Sequence, residues 1–315
     1  MTAGPARWRA IAAGLGLLAA ACLSAWVLHR QFGATSLASI AAAARAQPVP
    51  HLLASLGLTA LSFLCLALYD LVGARIVAPQ RVQAGTALLA GATGNAISNT
   101  LGFHAVTGSV VRAWVYRRSG LTETEVARIV SLAWLALGLG FAAMVAAAEL
   151  LRSSTAAQPG APLWLGASLG AGLALFVIWL GGRPRRLSVF GFEQPLPSAR
   201  LALLQMGIGA IESAAAVGAL YVLLPADLAP PFSVFAVGCI AAVALGLVAH
   251  APGGVGVFEA SVTALLAGAG RADLLAALLL YRAIYNLLPF VCSVTALALM
   301  RYKRRDCINS MAGTV

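Results

Sequence analysis

The chain is 315 residues long, 61% hydrophobic and 10% charged, with a mean hydropathy of +0.90. A soluble domain usually carries about 25% charged residues, so this sequence cannot cover itself for water, and no segment is polar and long enough to form a soluble domain of its own. The net charge of +11 does not point to nucleic acid, because the basic residues gather between apolar runs, where they orient spans and meet anionic headgroups.

Apolar runs of roughly 20 residues, the length a helix needs to cross a bilayer core, recur from end to end. The reading is an all-α polytopic membrane protein: about six full spans plus two re-entrant or broken-helix hairpins in a single integral membrane domain over 1–315. The first run, 10–28, follows Arg7 and Arg9 and imitates a signal peptide. AAAC at 19–22 resembles a lipoprotein cleavage box, but the usual Leu three places before the Cys is missing and more spans follow, so an uncleaved helix is expected. A second span covers 52–72.

Region 84–118 reads differently. It holds Gly85, Gly91, Gly94, Gly102 and Gly108 with Asn95 and Asn99, and basic residues flank both ends: Arg75 and Arg81 before, Arg117 and Arg118 after. By the positive-inside rule both ends face the cytoplasm, which makes this a re-entrant hairpin or a pair of short helices, with its turn at Gly108. Thr122 and Glu125 then form a capping box opening a span at 125–151. Spans at 161–180 and 200–224 enclose a basic loop at 181–199.

The second interrupted region is 232–270. Its stretch VAHAPGGVGVFEASV (248–262) places Pro252, Gly253, Gly254 and Gly256 inside an apolar run and follows them with Glu259. Such a turn is tolerated at membrane depth only where protein or a water-filled cavity shields the backbone. A last span at 274–300 precedes RYKRR at 301–305. This topology puts both termini in the cytoplasm. Of the 21 Lys and Arg residues it leaves Arg30, Arg45, Arg152 and Arg271 outside, Arg112 and Arg282 at membrane depth, and the rest inside. The hairpins then enter from opposite sides, as in an inverted repeat. Aligning His104-Ala105 with His250-Ala251, Gly108 with Gly254 and Val111 with Val257 fits that pattern, and broken helices in corresponding halves point to a transporter's binding site.

Ionisable groups at membrane depth are costly and therefore functional candidates. Arg112 follows Gly108 by four residues and Glu259 follows Gly254 by five, so each is expected beside the start of a short helix, where free N–H groups favour an anion. Arg282 shares a polar stripe with Tyr281, Tyr285 and Asn286, and Glu212 is the acid deepest within a span, with Gln205 two turns earlier. The substrate-binding set is therefore Arg112, Glu259, Arg282, Glu212, Asn95, Asn99 and Tyr281. A simpler alternative is that the charged groups pair and lock the hairpins. Asp70 and Glu149 fall near span ends, within reach of water.

Other chemistry finds little support. The five cysteines show no CxxC or metal spacing, and His104 and His250 lack nearby carboxylates or thiols. GGVGV has no βαβ context, and Ser98 and Ser109 lack a base and an orienting acid. No catalytic residue, metal or cofactor is expected.

The run SNTLGFHAVTGSVVRAWVYRRSGLTETEVARIV (98–130) resembles the first signature of the flippase-like membrane domain of lysylphosphatidylglycerol synthases: an Asn-containing glycine-rich segment, a Thr-Gly turn, an Arg four residues on and a Gly-Leu entry to the next helix. VAHAPGGVGVFEASVTALL with LLLYRAIYNLLP resembles the second, and together they anchor roughly residues 80–300. Ser109 stands where some members carry an acid. The resemblance implies a bacterial inner-membrane protein that moves a phospholipid or lipid-linked molecule between leaflets, its partner a membrane lipid with a phosphate headgroup. Full-length members add a soluble domain that attaches the amino acid. This chain stops at Val315 just after the last span, so it is expected not to be an aminoacyltransferase. The alternative function is a non-transporting membrane partner of lipid-biosynthesis enzymes, supporting envelope lipid or glycolipid synthesis.

Overall fold

The computed structural model describes residues 36–102, 104–153, 163–182, 186–189, 192–248 and 254–312. The expected span 10–28 lies outside them, as do His250, Pro252 and Gly253. In chain order the helices are α1 (Leu37–Arg45), α2 (Val49–Val77), α3 (Ala84–Leu101), α4 (His104–Tyr116), α5 (Glu123–Ser153), α6 (Leu163–Gly181), α7 (Ala199–Tyr221), α8 (Phe232–Val248), α9 (Val257–Leu265), α10 (Ala272–Tyr281) and α11 (Leu288–Ala312). A π-helical segment, Arg282–Leu287, joins α10 to α11. Five helices among the described residues are long and apolar enough to cross a membrane: Val49–Val77, Glu123–Arg152, Trp164–Gly181, Ala199–Tyr221 and Ala272–Tyr302. Large apolar side chains stay exposed on their outer faces, such as Trp164, Leu175 and Ile178 on α6 and Leu203, Leu204 and Ile211 on α7. In water such faces would be a liability; in a bilayer they meet lipid. The chain is an all-α polytopic membrane protein.

Region 84–118 is a helical hairpin, α3 packed on α4. The break is at Gly102, whose φ of 78° and ψ of −167° fall in a region essentially reserved for glycine. The expected turn at Gly108 is therefore wrong. Gly108 lies inside α4 because its missing side chain serves packing: a Cβ there would stand 2.9 Å from Arg112 Nη1. The alignment of Gly108 with Gly254 falls with it. Gly254 precedes α9 at φ 66°, as does Gly256 at φ 86°, so Gly102, not Gly108, is their counterpart in the first hairpin.

The order long helix, hairpin, long helix occurs twice, as α2, α3–α4, α5 and as α7, α8–α9, α10–α11. The leading helices of the two halves pack together with opposite polarity. Ser55 of α2 donates to Ala219 O of α7 at 2.8 Å, and Ser62 donates to Glu212 Oε1 at 3.0 Å, so the numbering rises along one helix as it falls along the other. Opposite polarity is what an inverted repeat requires. Where α5 crosses α7, a Cβ on Gly140 would meet Gly209 Cα at 2.5 Å. Paired glycines of this kind let two membrane helices approach backbone to backbone.

Three features depart from the sequence reading. The last span is a single helix as expected, Ala272–Tyr302, but it carries a π-helical stretch that the sequence reading did not foresee, because Pro289 lacks an N–H and its ring crowds the preceding turn. The ladder adjusts by bonding Leu288 N to Ala283 O, a five-residue step. The basic loop carries a two-stranded antiparallel ribbon, β1 (Arg186–Val189) with β2 (Phe192–Pro195), in which Arg186 pairs with Pro195 and Val189 with Phe192. Helix α1 packs on α10 and is capped by Ser36, whose side chain accepts from Ser39 N. The expected capping box forms: Thr122 N donates to Glu125 Oε2 at 2.9 Å and Glu125 N to Thr122 Oγ1 at 3.3 Å.

Candidate functional site: a cavity between two helical hairpins

One apolar core lies among α2–α5, and a larger one lies among α7–α10 and includes Met144 of α5; a cavity of about 180 Å³ is lined by residues of both halves. Both hairpins line it, together with α2, α5, α7 and the π segment. Its wall is mostly apolar, with Asn95, Asn99, Arg112, Glu212, Tyr281 and Arg282 among the polar exceptions. Six of the seven residues expected from the sequence thus meet at one place. The seventh, Glu259, is buried behind Arg282 and does not line the cavity.

Arg112 is not beside a helix start. It sits in the second half of α4, 4% exposed, and its partner is Asp70, which is fully buried. Arg112 Nε donates to Asp70 Oδ1 and Oδ2 at 2.8 and 3.0 Å, and Nη2 donates to Oδ2 at 2.8 Å. Tyr116 OH adds a donor to Oδ1 at 3.2 Å. Room for the guanidinium comes from Gly94 on α3 and Gly108 on α4, since a Cβ on either would lie 2.9 Å from Nη1. Asp70 is the ion-pair partner that the sequence reading missed. The signal was the span boundary: α2 runs to Val77, so Asp70 lies nearly two turns inside the helix and cannot reach water. Glu149 does lie near the end of α5, as expected, but it is buried and paired with Arg152 rather than open to water.

Glu259 does sit at a helix start, at the third position of α9, and its own Oε2 accepts from Gly256 N at 2.7 Å. The N-terminus of α9 is thus occupied by its own acid rather than offered to a ligand. The other oxygen, Oε1, accepts from Arg282 Nε at 2.6 Å. Arg282 stacks over Phe258 at 5.4 Å, and Phe258, Tyr281 and Tyr285 form a run of stacked rings with centroids 5.9 and 5.1 Å apart. The π segment is tied to the first hairpin as well. Asn286 Nδ2 donates to Asn99 O at 3.2 Å, and Thr100 Oγ1 donates to Asn286 O at 3.2 Å. At the rim of that hairpin His104 Nε2 meets Asn99 Oδ1 at 3.1 Å.

Glu212 is 3% exposed and lies among hydroxyls: Ser62 at 3.0 Å, Tyr285 at 3.4 Å and Ser213 at 3.4 Å. The charged groups do pair, as the simpler alternative expected, yet two guanidiniums still line the cavity while their carboxylates stand behind them. An anion entering this space meets the cationic half of each pair. Among the described residues no group of three or more His, Cys, Asp or Glu could hold a metal.

Comparison with known proteins settles the class. The family described as "Lysylphosphatidylglycerol synthase TM region" matches residues 11–293. The chain belongs to this family. It is 28% identical over 260 residues to "Inner membrane protein YbhN" of Escherichia coli, a match covering 79% of this chain and 80% of the relative. It is also 28% identical over 224 residues to "Uncharacterized protein slr0712" of Synechocystis sp., covering 66% and 68% of the two chains. The family match spans both hairpins and the π segment that together enclose the cavity.

Proposed function

We propose that the protein moves a phospholipid, or another lipid-linked molecule with a phosphate headgroup, between the leaflets of a bacterial inner membrane, with both termini in the cytoplasm, and that it acts as a transporter rather than an enzyme. The observation that carries this reading is the pairing pattern: Arg112 and Arg282, one from each half, face the same cavity with their counter-charges, Asp70 and Glu259, outside it. Asp70 occupies the Nε–Nη2 edge of Arg112 and leaves the rest of the fork for phosphate oxygens. The apolar wall suits the upper acyl chains, and the two inverted halves can rock about the cavity to open it to either side.

Leaflet exchange of a fluorescent phospholipid in proteoliposomes of the full chain tests the proposal. Arg282→Gln should slow exchange at least about tenfold, because a charge-assisted hydrogen bond contributes about 1.5–3 kcal/mol and each 1.4 kcal/mol is a factor of ten. Arg112→Ala should abolish it. Unchanged exchange in both folded variants removes the guanidiniums from the site. Wild-type protein that is folded yet exchanges nothing refutes transport and favours the role of a partner in lipid synthesis.

A further inference from the structure

Glu212 is the acid that the ion-pair arrangement leaves over. None of the ion pairs among the described residues includes it, although it lies mid-helix in α7 and lines the cavity. Its partners are hydroxyls only. Ser62 Oγ donates to Oε1 at 3.0 Å and is itself 2.8 Å from Tyr285 OH, while Ser213 Oγ lies 3.4 Å from Oε2. Hydroxyls rotate and both donate and accept. They can therefore hold a carboxylate by donating to it, or a carboxylic acid by accepting from it, with the heavy atoms in the same places.

The surroundings favour that reversibility. The titratable groups facing Glu212 are Cys65 and Tyr69 from α2, Tyr281 from α10 and Tyr285 from the π segment. Helix α8 adds Cys239 to the cavity, α5 presents apolar residues to it, and His104, Arg112 and Arg282 share its wall. The hydroxyl network also spans the moving parts: Ser62 belongs to α2, Glu212 to α7 and Tyr285 to the π segment. Gln205 lies on the same face of α7, fully buried, and neither its amide atoms nor the Tyr69 hydroxyl above Gly209 has a partner among the described residues. Buried polar atoms of this kind are where water enters a protein interior, and they extend the polar track from Glu212 toward the start of α7.

We propose that Glu212 is a proton-binding site that couples lipid exchange to a transmembrane proton gradient, one proton travelling with each phosphate-bearing headgroup. This rests on the transport reading above. The charge balance gives the coupling. With Arg112–Asp70 and Arg282–Glu259 neutral as pairs, the empty cavity carries the single negative charge of Glu212. A phosphodiester brings a second, and a proton taken up by the Glu212 carboxylate restores the original sum. Anion and proton therefore bind cooperatively, and each promotes binding of the other to the same degree.

Two measurements on the full chain separate this proposal from the transport reading. In proteoliposomes with an imposed gradient of one pH unit, one proton per lipid shifts the equilibrium leaflet ratio of labelled phospholipid by up to about tenfold. Glu212→Gln should remove that response and Glu212→Asp should restore it. Wild-type exchange indifferent to the gradient, or a gradient response surviving in Glu212→Gln, overturns the coupling while leaving transport standing. Infrared difference spectroscopy of the same samples reads the proton directly. A carboxylic-acid carbonyl band that titrates in wild type and is absent from Glu212→Gln supports the site even if no exchange is seen. A wild type without such a band, or a band unchanged in the variant, overturns it.

Discussion

Removing the carboxylate of Asp70 should expose how strongly the first half depends on one ion pair. Asp70→Ala deletes three N–H···O contacts of 2.8–3.0 Å and strands a guanidinium whose side chain is 5% exposed. Stranding a buried charge costs about 3–5 kcal/mol, and the lost acceptor for Tyr116 OH adds about 1 kcal/mol. Arg112→Ala has a similar cost for the converse reason, leaving Asp70 charged and fully buried. The double variant contains neither stranded charge, so it should be less destabilised than the sum of the singles by about 2–3 kcal/mol. Denaturant titration in mild detergent, followed by circular dichroism, measures all four corners of the cycle. Additivity within about 0.5 kcal/mol would show that the pair is not coupled and refute the reasoning.

Gly108→Ala puts a Cβ 2.9 Å from Arg112 Nη1 and should destabilise the protein by about 1–3 kcal/mol through overpacking, while Gly57→Ala, inside α2 where a Cβ meets nothing within 4 Å, should not lower thermal stability and should raise it by up to about 1 kcal/mol. Pro289→Ala restores the missing N–H and should convert the π segment to α-helix, turning α10 against α11 by about 100° for the one residue removed from the bulge; either the Arg282–Glu259 bond or the Asn286–Asn99 bond must then break, and exchange should fall even though the residue is outside the cavity. At the loop between α7 and α8, Arg271 bonds Asp227 at 2.6 and 3.1 Å and holds that carboxylate below its usual range. The pair therefore contributes fully above the unfolded Asp value of about 3.9 and is lost as pH falls through the lower folded value. The protection of the amides of residues 226–229, corrected for intrinsic exchange, should fall only in that acid window, and Asp227→Asn should abolish that fall.

Composition alone determined the class, since a chain with so few charges has only a bilayer to cover it. The positive-inside pattern gave two hairpins and an inverted order, and the opposite polarity of α2 and α7 is the arrangement that order requires. Residue type gave the guanidinium and carboxylate groups of the cavity wall, Arg112, Glu212 and Arg282, because a charge at membrane depth needs a reason to be there. Tertiary structure alone decided which charges pair. Asp70 was placed one turn too near water because an apolar run shows where hydrophobicity fades, not where the helix ends. Gly108 was read as a turn because glycine serves equally for positive φ and for close packing, and only the guanidinium of Arg112, arriving from the next turn of α4 against Gly94 of α3, distinguishes the two uses. Glu259 had its acid and its helix start legible in sequence, but which side of Arg282 it occupies is a long-range contact with no local signature. The sequence marks what is costly in a membrane; the fold determines which partner offsets each cost.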